Sequence, residues 1–245
     1  MLAWRDVRIR YKQTVMGFLW ALFMPLLIVM ASLFIKKMFS LLSGRPIEMT
    51  EVVSVAVKAL PWAFFVASIR FATISLVSNS DLVTKIYFPR EVFPLSSVLA
   101  NLVDFAIASA ASIPFLVLMG LRGSIYLAWL PVLLLFLILF TAGLGMLLSC
   151  ANLFFRDVKY IVEVLLTFGI FFTPVFYDAS MFGPWAPVIL LNPLAAILEA
   201  INDVVVWHRS PNLMWVAYAG SWAVLVSFSS WKIFDKAEPV FAQNI

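Results

Sequence analysis

The chain has one cysteine, Cys150, and one histidine, His208, among 245 residues. A single cysteine closes no internal disulfide, and the Cys/His sets that hold zinc are out of reach. Cys150 therefore reads as a small packing residue, and no metal site is expected. None of the nine glycines is followed by lysine. That removes the Gly-Lys-Ser/Thr loop that cradles nucleotide phosphates. His208 stands in a polar "WHRSPN" stretch with no partner residues for nucleophile chemistry. Charge is scarce too, at 12% of residues against ~25% in a soluble domain. These absences point away from an enzyme, so any work must draw energy from another polypeptide.

What the chain has in abundance is apolar surface. Hydrophobic residues make up 64% of it, with a mean hydropathy of +1.02. A soluble fold of this size must keep a polar, charged exterior, so lipid has to be the solvent over much of this one. The net charge of +4 is modest and calls for no nucleic-acid partner. The first apolar run is too long for a cleavable signal peptide, and no small-residue cleavage site follows it.

A bilayer core of ~30 Å takes about 20 apolar residues as helix. Six spans are predicted, at residues 14–37, 57–79, 93–120, 126–152, 158–177 and 211–232. The stretch "ASMFGPWAPVILLNPLAAIL", residues 179–198, is long enough for a seventh. It carries Gly183, Pro184, Pro187 and Pro193, which break helices. Residues 178–205 are therefore read as a re-entrant or interfacial hairpin of short helices, with a full span as the alternative. An even count puts both termini on one side. Ten Lys and Arg lie on the side of the termini and six on the other, which makes the termini cytoplasmic and leaves 233–245 as a cytoplasmic tail.

Three polar pieces interrupt this pattern. In "WRDVRIRYKQ", Trp4, Val7 and Tyr11 share one helical stripe, with Arg5, Arg8 and Lys12 on the next. Residues 1–13 thus read as an interface helix in the headgroup plane, either a topology anchor or a partner contact as well. "DLVTKIYFPREVFP", residues 81–94, lies between the second and third spans. Pro89 and Pro94 disfavour helix at the residues before them. Ser80 or Asp81 can cap a short amphipathic helix carrying Leu82, Ile86 and Tyr87. Its greasy face needs something to pack against, so a docked partner is the better reading of 80–92. Last, Arg70 and Asp104 fall at similar depth on neighbouring spans, where an ion pair is plausible and a role in substrate handling is the rival. Glu163 sits one turn from Lys159, its expected partner. Glu199 and Asp203 share a helical face and read as a repelling pair or a weak cation site, the structural role being favoured.

Aromatics cluster in "PWAFF", residues 61–65, and "FGIFFTPVFY", residues 168–177. Ring faces suit the C–H faces of sugars. A glycan or lipid conduit could use Trp62, Phe64, Phe65, Phe168, Phe171, Phe172, Phe176 and Tyr177; lipid-facing filler is the other reading.

Taken together, "WRDVRIRYKQTVMGFLWALFMPLL", "NSDLVTKIYFPREVFPLSSVLANLVDF", "LSCANLFFRDVKYIVEVLL", "FFTPVFY", "LNPLAAILEAI" and "FDKAEPVFAQNI" resemble the permease subunit of type 2 ATP-binding cassette exporters. The likeness is nearest to the polysaccharide, O-antigen and teichoic-acid branch. It implies an all-α polytopic membrane protein of six transmembrane helices, with an N-terminal interface helix and extracytoplasmic gate helices. It implies a homodimer with two cytoplasmic ATPase subunits, which bind the ATP and Mg; this chain holds no cofactor. Asp81, Lys85, Tyr87, Pro89, Arg90 and Glu91 would form the coupling helix seated in the ATPase, with Arg156 and Asp157 as a second contact. The cargo would be a lipid-linked glycan, moved outward across a bacterial plasma membrane. A drug or simple-lipid exporter shares the machinery. A membrane-embedded polyprenyl transferase would need carboxylate clusters that the chain lacks. Asn202 stands where the family commonly has arginine, and Asp235 replaces one base of its C-terminal signature.

Overall fold

The computed structural model describes residues 19–43, 48–80, 89–118 and 123–241. The proposed interface helix, with Trp4, Arg5, Arg8, Tyr11 and Lys12, lies outside the described residues, as do Asp81, Lys85 and Tyr87.

Among the described residues every regular element is helical. They are α1 (Leu19–Ser43), α2 (Met49–Ser78), α3 (Val92–Leu118), α4 (Leu130–Phe154), α5 (Val158–Phe172), α6 (Ala186–Leu190), α7 (Pro193–Val205) and α8 (Leu213–Ala237). Short 3-10 turns precede α4 and α6 and follow α8. The chain is an all-α, multi-pass membrane protein. The segments Met49–Ser78, Val92–Leu118, Ile125–Phe154 and Leu213–Val240 are each long and apolar enough to cross a bilayer. The 25 residues of α1 extend about 37 Å, while the 15 of α5 reach about 22 Å.

Helix ends follow local chemistry. Asn192 and Asn212 cap α7 and α8, their side-chain oxygens accepting from Leu194 N and Met214 N at 3.1 Å each. Pro193 takes the first turn of α7, where a missing N–H costs nothing. Inside 178–205 the helix breaks at Gly183, whose φ of +52° lies in the region that glycine tolerates.

Helix boundaries differ from the hydropathy reading at several ends; α1, expected to close at 37, runs to Ser43. The second span was expected at 57–79, but α2 starts eight residues earlier at Met49 and carries Glu51 within it. The fifth was expected to run to 177, but α5 stops at Phe172, and Thr173 is extended ahead of Pro174. The last was expected to end at 232, but α8 continues through Lys232, Asp235 and Lys236. Backbone hydrogen bonding carries a helix past charges that end an apolar window.

The helix α2 is the hub, touching α1, α3, α4, α5 and α7. The tightest pairing joins α4 to α8. A Cβ on Gly143 would fall 2.7 Å from Ser227 Cα, and one on Gly220 would fall 2.7 Å from the Phe136 ring. Ser227 Oγ donates to Leu139 O at 2.7 Å across the same seam. Lipid tails are as apolar as leucine, so close van der Waals contact between small residues has to hold such helices together.

We call the end where α2 finishes and α3 begins the base, and the opposite end the top. At the base, Leu76, Phe93, Met146, Cys150, Leu153, Phe234 and Phe241 form a separate apolar cluster. Cys150 is a buried packing residue there.

Candidate functional site

Three polar arrangements stand out along α2. The first is a flank shared with α5. Arg70 donates to Glu163 through Nε at 2.9 Å and through Nη2 at 2.6 Å, a two-pronged ion pair. The side chains remain 42% and 50% exposed. The sequence reading paired Arg70 with Asp104; the structure corrects this. Depth alone made those two level, but α5 lies alongside α2 and turns Glu163 toward the guanidinium. Glu163 is thereby taken from Lys159, its other expected partner, whose Nζ sits 4.8 Å over the Tyr160 ring.

The proposed aromatic set divides along the same flank. Trp62, Phe64 and Phe65 are buried inside the bundle. Phe64 meets Phe105 at 5.4 Å and Phe65 stacks on Phe140 at 6.3 Å. They are packing residues of α2, α3 and α4, and the reading of these three as conduit lining is corrected. Phe168, Phe171 and Phe172 instead lie exposed along α5. Phe176 and Tyr177 continue from them, with Phe171–Phe176 at 6.3 Å and the Tyr177 hydroxyl donating to Phe171 O at 2.9 Å.

The second arrangement is at the base. Pro89 is exposed, and Arg90 and Glu91 form the turn that enters α3. Arg90 reaches across to the end of the chain, its Nη1 donating to Glu238 O and its guanidinium lying 5.9 Å over the Phe241 ring. Phe241 is fully buried and meets Phe234 edge-on at 5.0 Å. Arg156 and Asp157 are exposed in the turn between α4 and α5.

The third arrangement, at the top, was not anticipated. Lys58 is fully buried, and its Nζ lies 2.6 Å from Asp178 Oδ1, 2.6 Å from Tyr177 O and 3.4 Å from Glu199 Oε1. Ser54 Oγ and Asn202 Nδ2 donate to the same Asp178 oxygen at 2.9 and 3.2 Å. Ala179 N donates to Glu199 Oε1 at 3.1 Å. One ammonium serves two carboxylates, and they respond differently. Burial pushes Asp178 up, but the Lys58 charge and hydrogen bond and the Ser54 hydroxyl together hold it below the usual range. Burial pushes Glu199 up, the Asp178 charge adds to that, and Lys58 does not reverse it. Glu199 and Asp203 are thus not a joint cation site: Asp203 pairs with Arg209 at 2.6 Å. The described residues hold no cluster of three or more metal-ligating groups. A sequence signal for Lys58 did exist, since Ser54 and Lys58 stand four apart on one face of "VVSVAVKAL".

Comparison with known proteins gives these features a setting. An O-antigen export system permease protein RfbA of Myxococcus xanthus is 29% identical over all of this chain and 94% of its own length. Two proteins of that name from Klebsiella pneumoniae are 27% identical over 98% of the chain and 91% of their own length, and 30% identical over 82% and 76%. The profile of the family described as ABC-2 type transporter matches residues 1–206, and the chain belongs to that family.

Proposed function

We propose that the chain is the membrane-spanning subunit of an ATP-driven exporter. It would move a lipid-linked polysaccharide of O-antigen type outward across a bacterial inner membrane. Relatives named as O-antigen export permeases, similar along their full length, support the cargo class. In this reading two copies pair around a conduit. Two separate ATPase subunits bind ATP and Mg, and both termini of this chain are cytoplasmic. The segment 80–92 and the Arg156–Asp157 turn receive the ATPase motion.

The observation that carries this is the half-exposed Arg70–Glu163 pair. Arg70 lies eight residues inside the end of α2 and Glu163 five residues inside the start of α5. A charged pair at that depth is costly against hydrocarbon, so the flank it sits on is suited to water or protein. The exposed row of Phe168, Phe171 and Phe172 climbs the same helix toward the top. A polar entry followed by ring faces is a wall that a sugar chain can slide along.

Single cysteines at positions 163, 168 and 172, in a Cys150→Ser background, test this in membrane vesicles carrying the assembled exporter. A charged, membrane-impermeant thiol reagent is expected to label all three. Cysteines at Leu135 and Leu225, exposed on α4 and α8, are expected to stay unlabelled in lipid. Equal protection of both sets would overturn the reading.

A further inference from the structure

A cavity of about 220 Å3 opens at the top, between the 3-10 turn after Asp178, α6, α7 and the start of α8. Leu190, Ala196 and Ala200 give it an apolar wall, and Trp215 gives it a ring. The apolar span of α8 begins at Leu213, so Trp215 and the cavity lie level with the membrane surface. Leu213 and Met214 beside it are exposed. Trp215, Tyr218 and Trp222 follow one another down the helix, with successive ring centroids 5.7 and 6.4 Å apart. Such rings gather where hydrocarbon gives way to headgroups.

Charges of both signs line the same cavity. Glu199 Oε1 accepts from Lys58 and from Ala179 N, while its Oε2 accepts nothing among the described residues. Lys58 stands nearer to Asp178, at 2.6 Å against 3.4 Å, so Glu199 has no cation of its own. Burial and then the Asp178 charge push its carboxyl up, and a second cation at Oε2 would offset both. Arg209 spends one Nε and one Nη2 donor on Asp203 Oδ1, and its Nη1 donors remain. Its side chain is 63% exposed. An acid short of a cation and a guanidinium with donors to spare match a ligand that carries both signs. An anionic lipid would leave Glu199 unanswered, and a neutral sugar would leave both charges so. A trimethylated ammonium has no N–H to give a carboxylate.

We propose that this cavity binds the headgroup of a phosphoethanolamine lipid from the leaflet at the top. The ammonium donates to Glu199 Oε2 and rests against Trp215. The phosphate takes the free donors of Arg209, which Asp203 holds in position. Glu199 and Asp203 therefore share no ligand: one touches the lipid and the other acts through the guanidinium. The glycerol end leaves along the apolar wall toward Leu213 and Met214. A lipid so placed fastens α6 to α7 and α8. The site belongs to this chain alone and rests on no reading of the cargo.

The full chain in nanodiscs of equal phosphatidylethanolamine and phosphatidylcholine tests the site by native mass spectrometry. The unaltered chain is expected to retain phosphatidylethanolamine over phosphatidylcholine by about tenfold, the worth of one charge-assisted contact. Glu199→Gln keeps the shape of the side chain and should erase that preference. Arg209→Gln should weaken retention of both lipids, and Arg209→Lys should recover it. Glu48→Gln, which removes an exposed acid at the same end of the bundle, should change nothing. Ser180→Trp, which obstructs the cavity without changing charge, should lower retention too, so a misfolded glutamine variant cannot decide the matter. Equal retention of the two lipids by the unaltered chain overturns the site. So does a preference that survives both Glu199→Gln and Ser180→Trp. Displacement by soluble phosphoethanolamine as readily as by the lipid overturns the lipid and leaves a small-molecule site. Stronger retention of phosphatidylglycerol in a three-lipid disc overturns the zwitterion and leaves an anionic annular lipid.

Discussion

Lys58 and Asp178 are joined at 2.6 Å, although 119 residues of chain separate them and the lysine sees no solvent at all. The bond ties the first third of α2 to the segment that follows α5. It closes the top of the bundle before the broken helices begin. Ser54, Glu199 and Asn202 gather on the same two groups, so the ion pair is hydrogen-bonded in a dry place, while Asn202 Oδ1 is left there without a hydrogen-bond partner.

Removing the cation alone should therefore be severe. Lys58→Met leaves Asp178 buried without its partner, at a cost of roughly 3–5 kcal/mol. Lys58→Met combined with Asp178→Asn should recover much of the loss. Apparent melting temperatures of the detergent-solubilised chain, read as a double-mutant cycle, measure it. Additive losses would mean that the pair is not coupled.

The two carboxylates should behave unequally. Asp178 is held below its ordinary range, so its contribution is complete above its unfolded value and fades as pH falls through the folded one. Glu199 is pushed the other way, so its contribution is complete below its unfolded value and fades as pH rises through the folded one. Glu199→Gln should be close to neutral at acid pH and should flatten the decline toward neutrality. Asp178→Asn should destabilise most at neutral pH. Thermal unfolding followed across the acid-to-neutral range distinguishes the two.

The α4–α8 seam has no room at Gly143. Gly143→Ala puts a Cβ against the Ser227 backbone, and overpacking of this kind costs about 1–3 kcal/mol. Gly143→Leu should abolish stable expression. Gly123→Ala, with open space around it, is the matched control and should change nothing. Melting temperature and gel-filtration profile report both.

At the base, Phe241→Ala should remove about 3–5 kcal/mol of packing. It should also loosen the end of the chain, which limited proteolysis would detect. Arg90→Gln should spare the fold but weaken the hold of Glu238 and Phe241 on the entry to α3. The expected result is ATP hydrolysis that continues in the assembled complex with less glycan delivered to the cell surface. Normal delivery would show that Arg90 serves packing alone.

The sequence made the membrane character and the brokenness of 178–205 legible, because scarce charge and dense proline act locally and leave little choice. Partner identity was harder to read. Arg70 could be placed at a depth, but only the packing angle of α5 decided that Glu163 and not Asp104 would meet it. Lys58 stands at the very edge of the expected 57–79 span, because an apolar window ends at any charge. A buried acid 120 residues away was what made its burial affordable. The rings of "PWAFF" and "FGIFF" look alike as text; helix azimuth sends one group inward and the other to the rim.

The shortness of α5 has a mechanical corollary. About 22 Å of helix stands where a membrane offers ~30 Å of hydrocarbon. On any stretch of α5 that meets lipid, the leaflets have to pinch toward one another. A pinched bilayer thins the apolar layer that any polar group beside such a stretch would have to cross.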